Sequence, residues 1–243
     1  MTMKSKLDLS ATVGALLLLS VAACGTMTER SMPPAAATSS MPSLGSASGF
    51  AVLAASTATC TNSSVVTGDV GVSPGTAITG FNPPCTLTGA IHAGDDAAAV
   101  AHKDLGIAYG NVAAVVCETN LTGQDLGGQT LAPGAYCFDT TAGLTGDLTL
   151  DSGGDENAVW IFQIGTAITT GTAASVVMTG GGHPGNVFWN VGSSATIATG
   201  TAFQGNILAY ASITIVSGSS LVGRALALTG AVTMDNNAVS LTE

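Results

Sequence analysis

The chain of 243 residues carries five Lys or Arg against fifteen Asp or Glu, a formal net charge of −10, and after residue 40 its basic side chains are Lys103 and Arg224 alone. Neutralising phosphates takes several cations on one face, so nucleic acid is excluded as a partner. With 32 Gly, 46% apolar and only 8% charged residues, the composition suits stacked strands of small residues better than an ordinary soluble enzyme.

At the N-terminus, Lys4 and Lys6 precede an apolar run from Ala11 to Ala23. It is long enough for the core of an export signal and too short to span a bilayer. The run ends in Val21-Ala22-Ala23-Cys24, which resembles a bacterial lipobox and makes residues 1–24 a lipoprotein-type signal peptide with Cys24 as the lipidation site. Five cysteines leave one over, and lipidation of Cys24 removes it from the disulfide tally. The alternative is ordinary cleavage after Ala23 with Cys24 left free. Residues 25–48, rich in Ser, Ala, Pro and Met without an apolar period, read as a flexible tether. A single acyl chain holds a membrane only marginally, so the anchor in a cell-envelope lipoprotein would be multiply acylated.

From Phe50 to Thr88, short apolar runs broken by Gly, Pro and Thr read as solenoid coils; Thr67-Gly68-Asp69-Val70-Gly71-Val72 resembles the later Thr145-Gly146-Asp147-Leu148-Thr149-Leu150. In an exported chain the remaining cysteines pair in order, Cys60 with Cys85 and Cys117 with Cys137. No Cys-x-x-Cys spacing calls for zinc, and no other metal or cofactor is implied. Asp95 to Val116 is the one helix: Asp95 and Asp96 suit its N-terminus, and Ala97, Ala101, Leu105, Ala108, Val112 and Val115 form a small apolar face. That face fits closely against the side of a solenoid, as a brace.

From Leu121 the repeat resumes, and between Val187 and Leu241 three segments of 18 to 19 residues overlay: VFWNVGSSATIATGTAFQG, NILAYASITIVSGSSLVG and RALALTGAVTMDNNAVSL. Each holds three short runs, the first around Trp189, Leu208 and Leu226, the second around Ile197, Ile215 and Met234, the third around Phe203, Leu221 and Val239. A period near 20 with three strands per unit specifies an all-β solenoid, in which a coil buries its apolar side chains only against its neighbours.

The segments TLAPGAYCF, GDLTLD, VWIFQIG and VFWNVGSSATIATGTAFQGNILA resemble the DUF3494 ice-binding (antifreeze) protein family over about residues 46 to 243. That resemblance implies a right-handed, discontinuous parallel β-helix with one long α-helix packed alongside, spanning residues 49–243. It also implies that one flat face meets the surface of an ice crystal, in some members through a repeated Thr-Ala/Gly-X-Thr/Asn motif. The physics agrees: stacked strands repeat every 4.7–4.9 Å, same-face residues lie about 6.8 Å apart along a strand, and the stiff χ1 of threonine holds hydroxyl and methyl in place.

Carried onto this sequence, the motif falls on Thr170-Gly171-Thr172-Ala173, Thr199-Gly200-Thr201-Ala202 and Ser217-Gly218-Ser219-Ser220, with Asn237 in the last coil. Strand alternation gives a second outward row, Thr149, Thr196, Thr214 and Thr233. Which row meets ice stays open, and Ser-Gly and Asn-Asn are also common turn chemistry.

Other motifs carry less. Gly180-Gly181-Gly182-His183-Pro184-Gly185 contains a phosphate-loop spacing, but Pro184 and the following strand leave no helix N-terminus to hold a phosphate. His92, His102 and His183 lack ligand spacing and read as solvated surface residues. Asp147, Asp151, Asp155 and Glu156 form the one acidic cluster, without the paired groups in a cleft that glycan chemistry requires. Two functions remain: a monomeric, lipid-tethered, non-enzymatic protein that adsorbs to ice and limits its growth or recrystallisation, or a surface structural or adhesion module on the same solenoid without ice affinity. Fold alone does not separate them.

Overall fold

Runs such as Val187-Phe188-Trp189 and Ile207-Leu208-Ala209 are too short to satisfy their backbone groups alone, and the chain between them supplies corners and no hairpins. In the computed structural model, which describes residues 41–241, every strand therefore pairs in parallel with its equivalent one coil away, and the coils present three faces. Face b is the simplest. Its seven strands lie in the order Ala142–Leu144, Ile168–Thr170, Ala195–Ile197, Ile213–Ile215, Val232–Asp235, Thr57–Thr61 and Ala77–Thr79.

That order makes the β-helix discontinuous. The N-terminal strand Thr57–Thr61 pairs with Val232–Asp235 of the C-terminal coil, so the first coils in sequence stack beyond the last. On face a, Phe50–Ala54 likewise adds to Ser220–Ala227. On face c, Val65–Thr67 adds to Ala238–Ser240. The similarity of residues 67–72 to 145–150 does not survive as structural equivalence: Asp69–Val72 lies on face a, whereas Asp147–Asp151 lies on face c.

Strands Ala202–Ala209 and Ser220–Ala227 run from face c onto face a through a bend at Gly205 and Gly223, with φ of 114° and 147°. A Cβ on Gly223 would fall 2.0 Å from the Gly205 carbonyl oxygen, so the stacking distance itself requires glycine there. Inside the coils an aromatic column runs along the axis: Tyr136, Phe162, Trp189 and Phe203 have successive ring centroids 5.5, 4.0 and 4.9 Å apart. The Trp189 indole N–H donates to the Gln204 carbonyl at 2.9 Å, which removes the polar cost of burying the ring.

Face a carries buried apolar residues on both sides because its outside is covered by the helix Asp96–Ala113, α1. Asp95 is the N-cap, accepting from the Ala98 N–H at 2.9 Å. Ala98, Ala101, Leu105, Ala108 and Val112 are buried, while Ala97 is exposed and Val115 half-buried, so the packed stripe is set one residue later at its start than the sequence suggests. The helix end is held by Gln163, whose Nε2 donates to the carbonyls of Val112 at 2.8 Å and Val115 at 2.7 Å. His102 also joins the brace, with Nε2 2.8 Å from the Leu228 carbonyl oxygen. His92 sits at the other end, its Nδ1 2.8 Å from Asp95 Oδ2. Neither is the solvated surface histidine that spacing suggests; both anchor α1.

Both disulfides form in the expected order, Cys60–Cys85 and Cys117–Cys137, which places folding in an oxidising compartment. The segment 44–48, read as the end of the tether, is packed: the 3-10 helix Gly45–Gly49 buries Ala47, Leu44 is buried beside it, and the Ser46 N–H donates to Asp104 at 2.7 Å. The packed domain thus begins upstream of Gly49. Residues 1–24, read from the sequence as a signal peptide with Cys24, and most of the stretch read as a tether lie outside the described residues.

Two predictions follow from this packing. Trp189→Ala removes the centre of the aromatic column, and a loss of about 3–5 kcal/mol is expected in denaturant unfolding. Hydrogen bonds hold Asp95 (from Ala98, then His92) and Asp104 (from Ser46) below the ordinary carboxylate range. Their folded values lie under the unfolded ones, so the stability they contribute is present above about pH 4 and is lost as pH falls further. Asp104→Asn should lower the denaturant midpoint at neutral pH and flatten its acid decline.

Candidate functional site

Alternation along each face b strand sends one side chain in and the next out. Inward go Ala195 and Ile197, Ile213 and Ile215, Val232 and Met234, and Ala58 and Cys60, all buried. Outward, the register aligns Thr169, Thr196, Thr214, Thr233, Thr59 and Thr79 in one unbroken ladder across six coils, with Gly143 at its end. Every member is exposed or half-exposed. A parallel row of small residues lies beside it. Its backbone runs in hydrogen-bonded sequence from Thr166 through Ser193, Ala211 and Gly230 to Ser56, at 2.8–3.1 Å in the last three steps. No Lys, Arg, Asp or Glu interrupts either row, so both are uncharged and regular at the strand spacing of about 4.8 Å; the one carboxylate in the strands of this face, Asp235, stands at its border toward face c, where it accepts from Thr61.

Of the alternation-derived row, Thr196, Thr214 and Thr233 lie in this outward ladder, whereas Thr149 lies on face c opposite Thr130 and Val177. Three members were missed: Thr169, Thr59 and Thr79. A signal for them exists in the sequence, since Thr166-Ala167-Ile168-Thr169 and Thr76-Ala77-Ile78-Thr79 both read Thr-Ala-X-Thr in this register.

The motif-derived row divides between outside and inside. Thr170, Thr201, Ser219 and Asn237 are buried at the corner between faces b and c. Turn carbonyls and amides there lose water and need partners. Thr170 Oγ1 accepts from the Ala198 N–H at 2.8 Å and lies 2.9 Å from Thr201 Oγ1; the Thr201 hydroxyl donates to the Gly171 carbonyl at 3.2 Å; Ser219 donates to the Val216 carbonyl; and Asn237 Nδ2 donates to the Ile215 carbonyl at 2.8 Å. These side chains are internal turn ties, and their burial removes them from any external contact. The remaining positions stay outside: Thr172 and Thr199 are exposed and Ser217 half-exposed along the corner, and Ser220 is half-buried on face c.

The two Thr-Gly-Thr-Ala sequences are also out of register with each other. The Ala173 N–H donates to the Thr199 carbonyl and the Gly200 N–H to the Ser217 carbonyl, so Ala173, Gly200, Gly218 and Asn236 are the equivalent corner residues. All four have left-handed φ, between 45° and 74°, the conformation in which Gly and Asn are favoured and Ala173 is strained. Thr172 therefore stacks with Thr199, and Thr170 with Ile197.

Elsewhere chemistry is sparse. Among the described residues no group of three or more His, Cys, Asp or Glu is placed to hold a metal ion. Asp125 is half of a structural tie, accepting from the Gly127 N–H at 2.7 Å and the Thr145 N–H at 2.9 Å. Asp147 accepts from the Ser175 hydroxyl. The Gly180–Gly185 stretch is a loop entering the 3-10 helix Pro184–Asn186, with the His183 ring accepting from the Gly185 N–H.

A discontinuous parallel β-helix braced by one helix and carrying an uncharged threonine ladder defines a class of protein with a flat recognition face in place of a pocket. The Ice-binding-like family model matches residues 52–240, and the chain belongs to that family. It is 52% identical over 198 residues to an ice-binding protein of Nostoc sp. (strain HG1), covering 81% of this chain and 73% of that one. An ice-binding protein of Flavobacterium frigoris (strain PS1) is 33% identical over 211 residues, covering 82% and 75%. The crystal structure of an ice binding protein from an Antarctic Biological Consortium superposes with a TM-score of 0.83 at 40% identity, covering 87% of this chain and 96% of that one.

The assignment of Thr201 to the interior is directly testable. Thr201→Val keeps the shape and removes the hydroxyl that ties Thr170 and Gly171. A loss of about 1–3 kcal/mol is expected from the stranded partners, read as a lower unfolding midpoint. A variant as stable as the wild type would show that the hydroxyl is not a buried tie.

Proposed function

We propose that the protein adsorbs to ice through face b and thereby inhibits ice growth or recrystallisation. The observation that carries this reading is the six-threonine ladder, held in one register by the backbone and free of charge. A charged side chain would keep its own hydration shell at an ice surface, whereas a threonine offers one hydroxyl and one methyl from a single stiff rotamer. Because strand pairing fixes the backbone, little conformational freedom is left to lose on adsorption. Water ordered over such a grid matches a lattice without a pocket. Family membership and the ice-binding proteins similar over most of the chain support the same reading.

The corner residues Thr172, Thr199 and Ser217 border the ladder and would contribute less, because they sit where the surface turns away. The test is a pair of substitutions in the full chain. Thr214→Tyr puts a ring in the middle of the ladder and lifts neighbouring coils off the lattice; thermal hysteresis or recrystallisation inhibition should fall strongly. Thr199→Tyr should have the smaller effect. Surface changes of this kind cost within about 0.5 kcal/mol, so melting temperature should hold in both. A folded wild-type chain without ice activity would reject the reading and leave a structural or adhesion module.

We also propose that residues 1–24 direct export, that Cys24 carries the lipid, and that the chain up to the packed segment at Leu44 tethers a monomeric domain to the cell envelope. The lipobox-like Val21-Ala22-Ala23-Cys24 and the odd cysteine support this. Wild-type protein should partition with membranes, and Cys24→Ala should release it or block maturation. Recovery of wild type in the soluble fraction, cleaved after Ala23 and unmodified, would end the claim.

A further inference from the structure

Among the described residues Arg224 is the only arginine, and it is half-buried. It follows the bend at Gly223 on face a, in register with Asn206 and, one coil further, with Phe188. Its Nε donates to the Ser48 carbonyl at 2.9 Å and its Nη1 to Asn206 Oδ1 at 2.8 Å. A guanidinium carries five N–H groups in a planar fork, and these two bonds leave the Nη2 end without a partner among the described residues. The salt bridges of the described residues belong to His92, and none reaches Arg224. Burial pulls its pKa below the ordinary arginine range, and no carboxylate pulls it back.

The guanidinium lines a cavity of about 380 Å³ bounded by face a, the segment 41–48 and the loop that enters Pro184–Asn186. Met41, Pro42, Leu44 and Phe188 supply apolar wall, and no Asp or Glu is among the lining residues. His183 lines the cavity as well. Its Nδ1 accepts from the Gly185 N–H at 3.1 Å, so the proton of the neutral ring sits on Nε2 and makes that atom a second donor. We propose that this cavity binds a small organic monocarboxylate, its carboxylate paired with Arg224 and its apolar body lying along Leu44 and Phe188. This goes beyond adsorption to ice and does not depend on it.

Three observations favour this ligand class. The guanidinium fork matches the two oxygens of a carboxylate, and such pairs are the strong, charge-assisted kind. A single cation in a chain of net charge −10 holds one negative charge at short range, whereas a phosphate or nucleotide would add repulsion that the site has no second cation to offset. The apolar wall has no use for an inorganic anion, and the cavity volume falls within the range of about 300–1,000 Å³ that holds small organic molecules. A purely structural role leaves the charge itself without a purpose. The ties to Ser48 and Asn206 need only two neutral donors, and burying an unpaired charge to make them costs more than it returns; a bound carboxylate reverses that balance.

The experiment is saturation-transfer NMR on the full chain, with hexanoate as probe, hexanol as its uncharged counterpart and inorganic phosphate as competitor. Hexanoate should receive saturation and hexanol should not, and phosphate at equal concentration should leave the hexanoate signal in place. Arg224→Met should weaken hexanoate at least roughly tenfold, the scale of a lost charge-assisted pair, and Arg224→Lys, a point charge without the fork, should fall between. His183→Ala, at an exposed position, should weaken it by about threefold with the melting temperature unchanged, which keeps the site testable if the Arg224 variants fold poorly. Ice activity should be the same in His183→Ala as in wild type, so loss of carboxylate binding and loss of ice binding are read separately. Four results would overturn the proposal: hexanoate unbound at about 10 mM, where even a weak site fills; hexanol bound as well as hexanoate; phosphate displacing hexanoate at equal concentration, the mark of a generic anion site; or folded Arg224→Met binding hexanoate as wild type does.

Discussion

The structure depends on one constraint: a single coil is too thin to bury the side chains pointing into it, and they leave water only when coils stack above and below. Trp189 stacks at 4.0 Å on Phe162 of the preceding coil and meets Phe203 of its own coil at 4.9 Å, and no single coil contains the whole column. In-register parallel pairing is the only arrangement that stacks these side chains while also satisfying the short strands' backbone groups. The outward grid is a by-product of the same register. Once Ile213 and Val232 are aligned inside, Thr214 and Thr233 are aligned outside, so the regularity of the surface is inherited from the core.

Threonine serves two physical roles in this chain, and they are easily confused. On face b it is outward, and its stiffness and paired functional groups matter. At the corner it is inward, and its hydroxyl replaces water for turn carbonyls, as between Thr201 and Gly171. What separates the roles is position relative to the left-handed corner residue: Gly200 is followed directly by buried Thr201, and Gly218 by buried Ser219. The covered face obeys the same logic with a different partner: under α1 the outward residues of face a are either apolar, as Ile161, Phe188, Leu208 and Leu226, or amides that donate to the helix's own carbonyls, as Gln163 and Asn190.

Much of the fold was legible because the repeat between Val187 and Leu241 is regular enough to overlay by eye. The helix, its Asp95 cap and the cysteine pairing were legible for local reasons: N-terminal carboxylates, a small-residue stripe and chain order. The outward threonine ladder of the candidate site was half legible. Thr196, Thr214 and Thr233 lie in the regular coils, where alternation gives orientation. Thr170 and Thr201 were misplaced because the letters Thr-Gly-Thr-Ala begin three residues before the corner at Ala173 in one coil and one residue before the corner at Gly200 in the next, so matching letters hid a shift of two. Thr59 and Thr79 were illegible for a topological reason. Nothing local in the N-terminal coils says that they stack beyond the C-terminal one, and a strand's outward neighbours cannot be named until its partner is known.

That stacking also sets an order of events during synthesis. The strand Thr57–Thr61 leaves the ribosome long before its partner Val232–Asp235 is made. Until then, the coils between them can form a partial solenoid that ends in bare strand edges, and edges of this kind are templates for pairing with other chains. Sequence-distant closure is slow on entropic grounds. A chain of this topology has a vulnerable interval set by its own length, during which its early coils either wait unfolded or need protection by a chaperone.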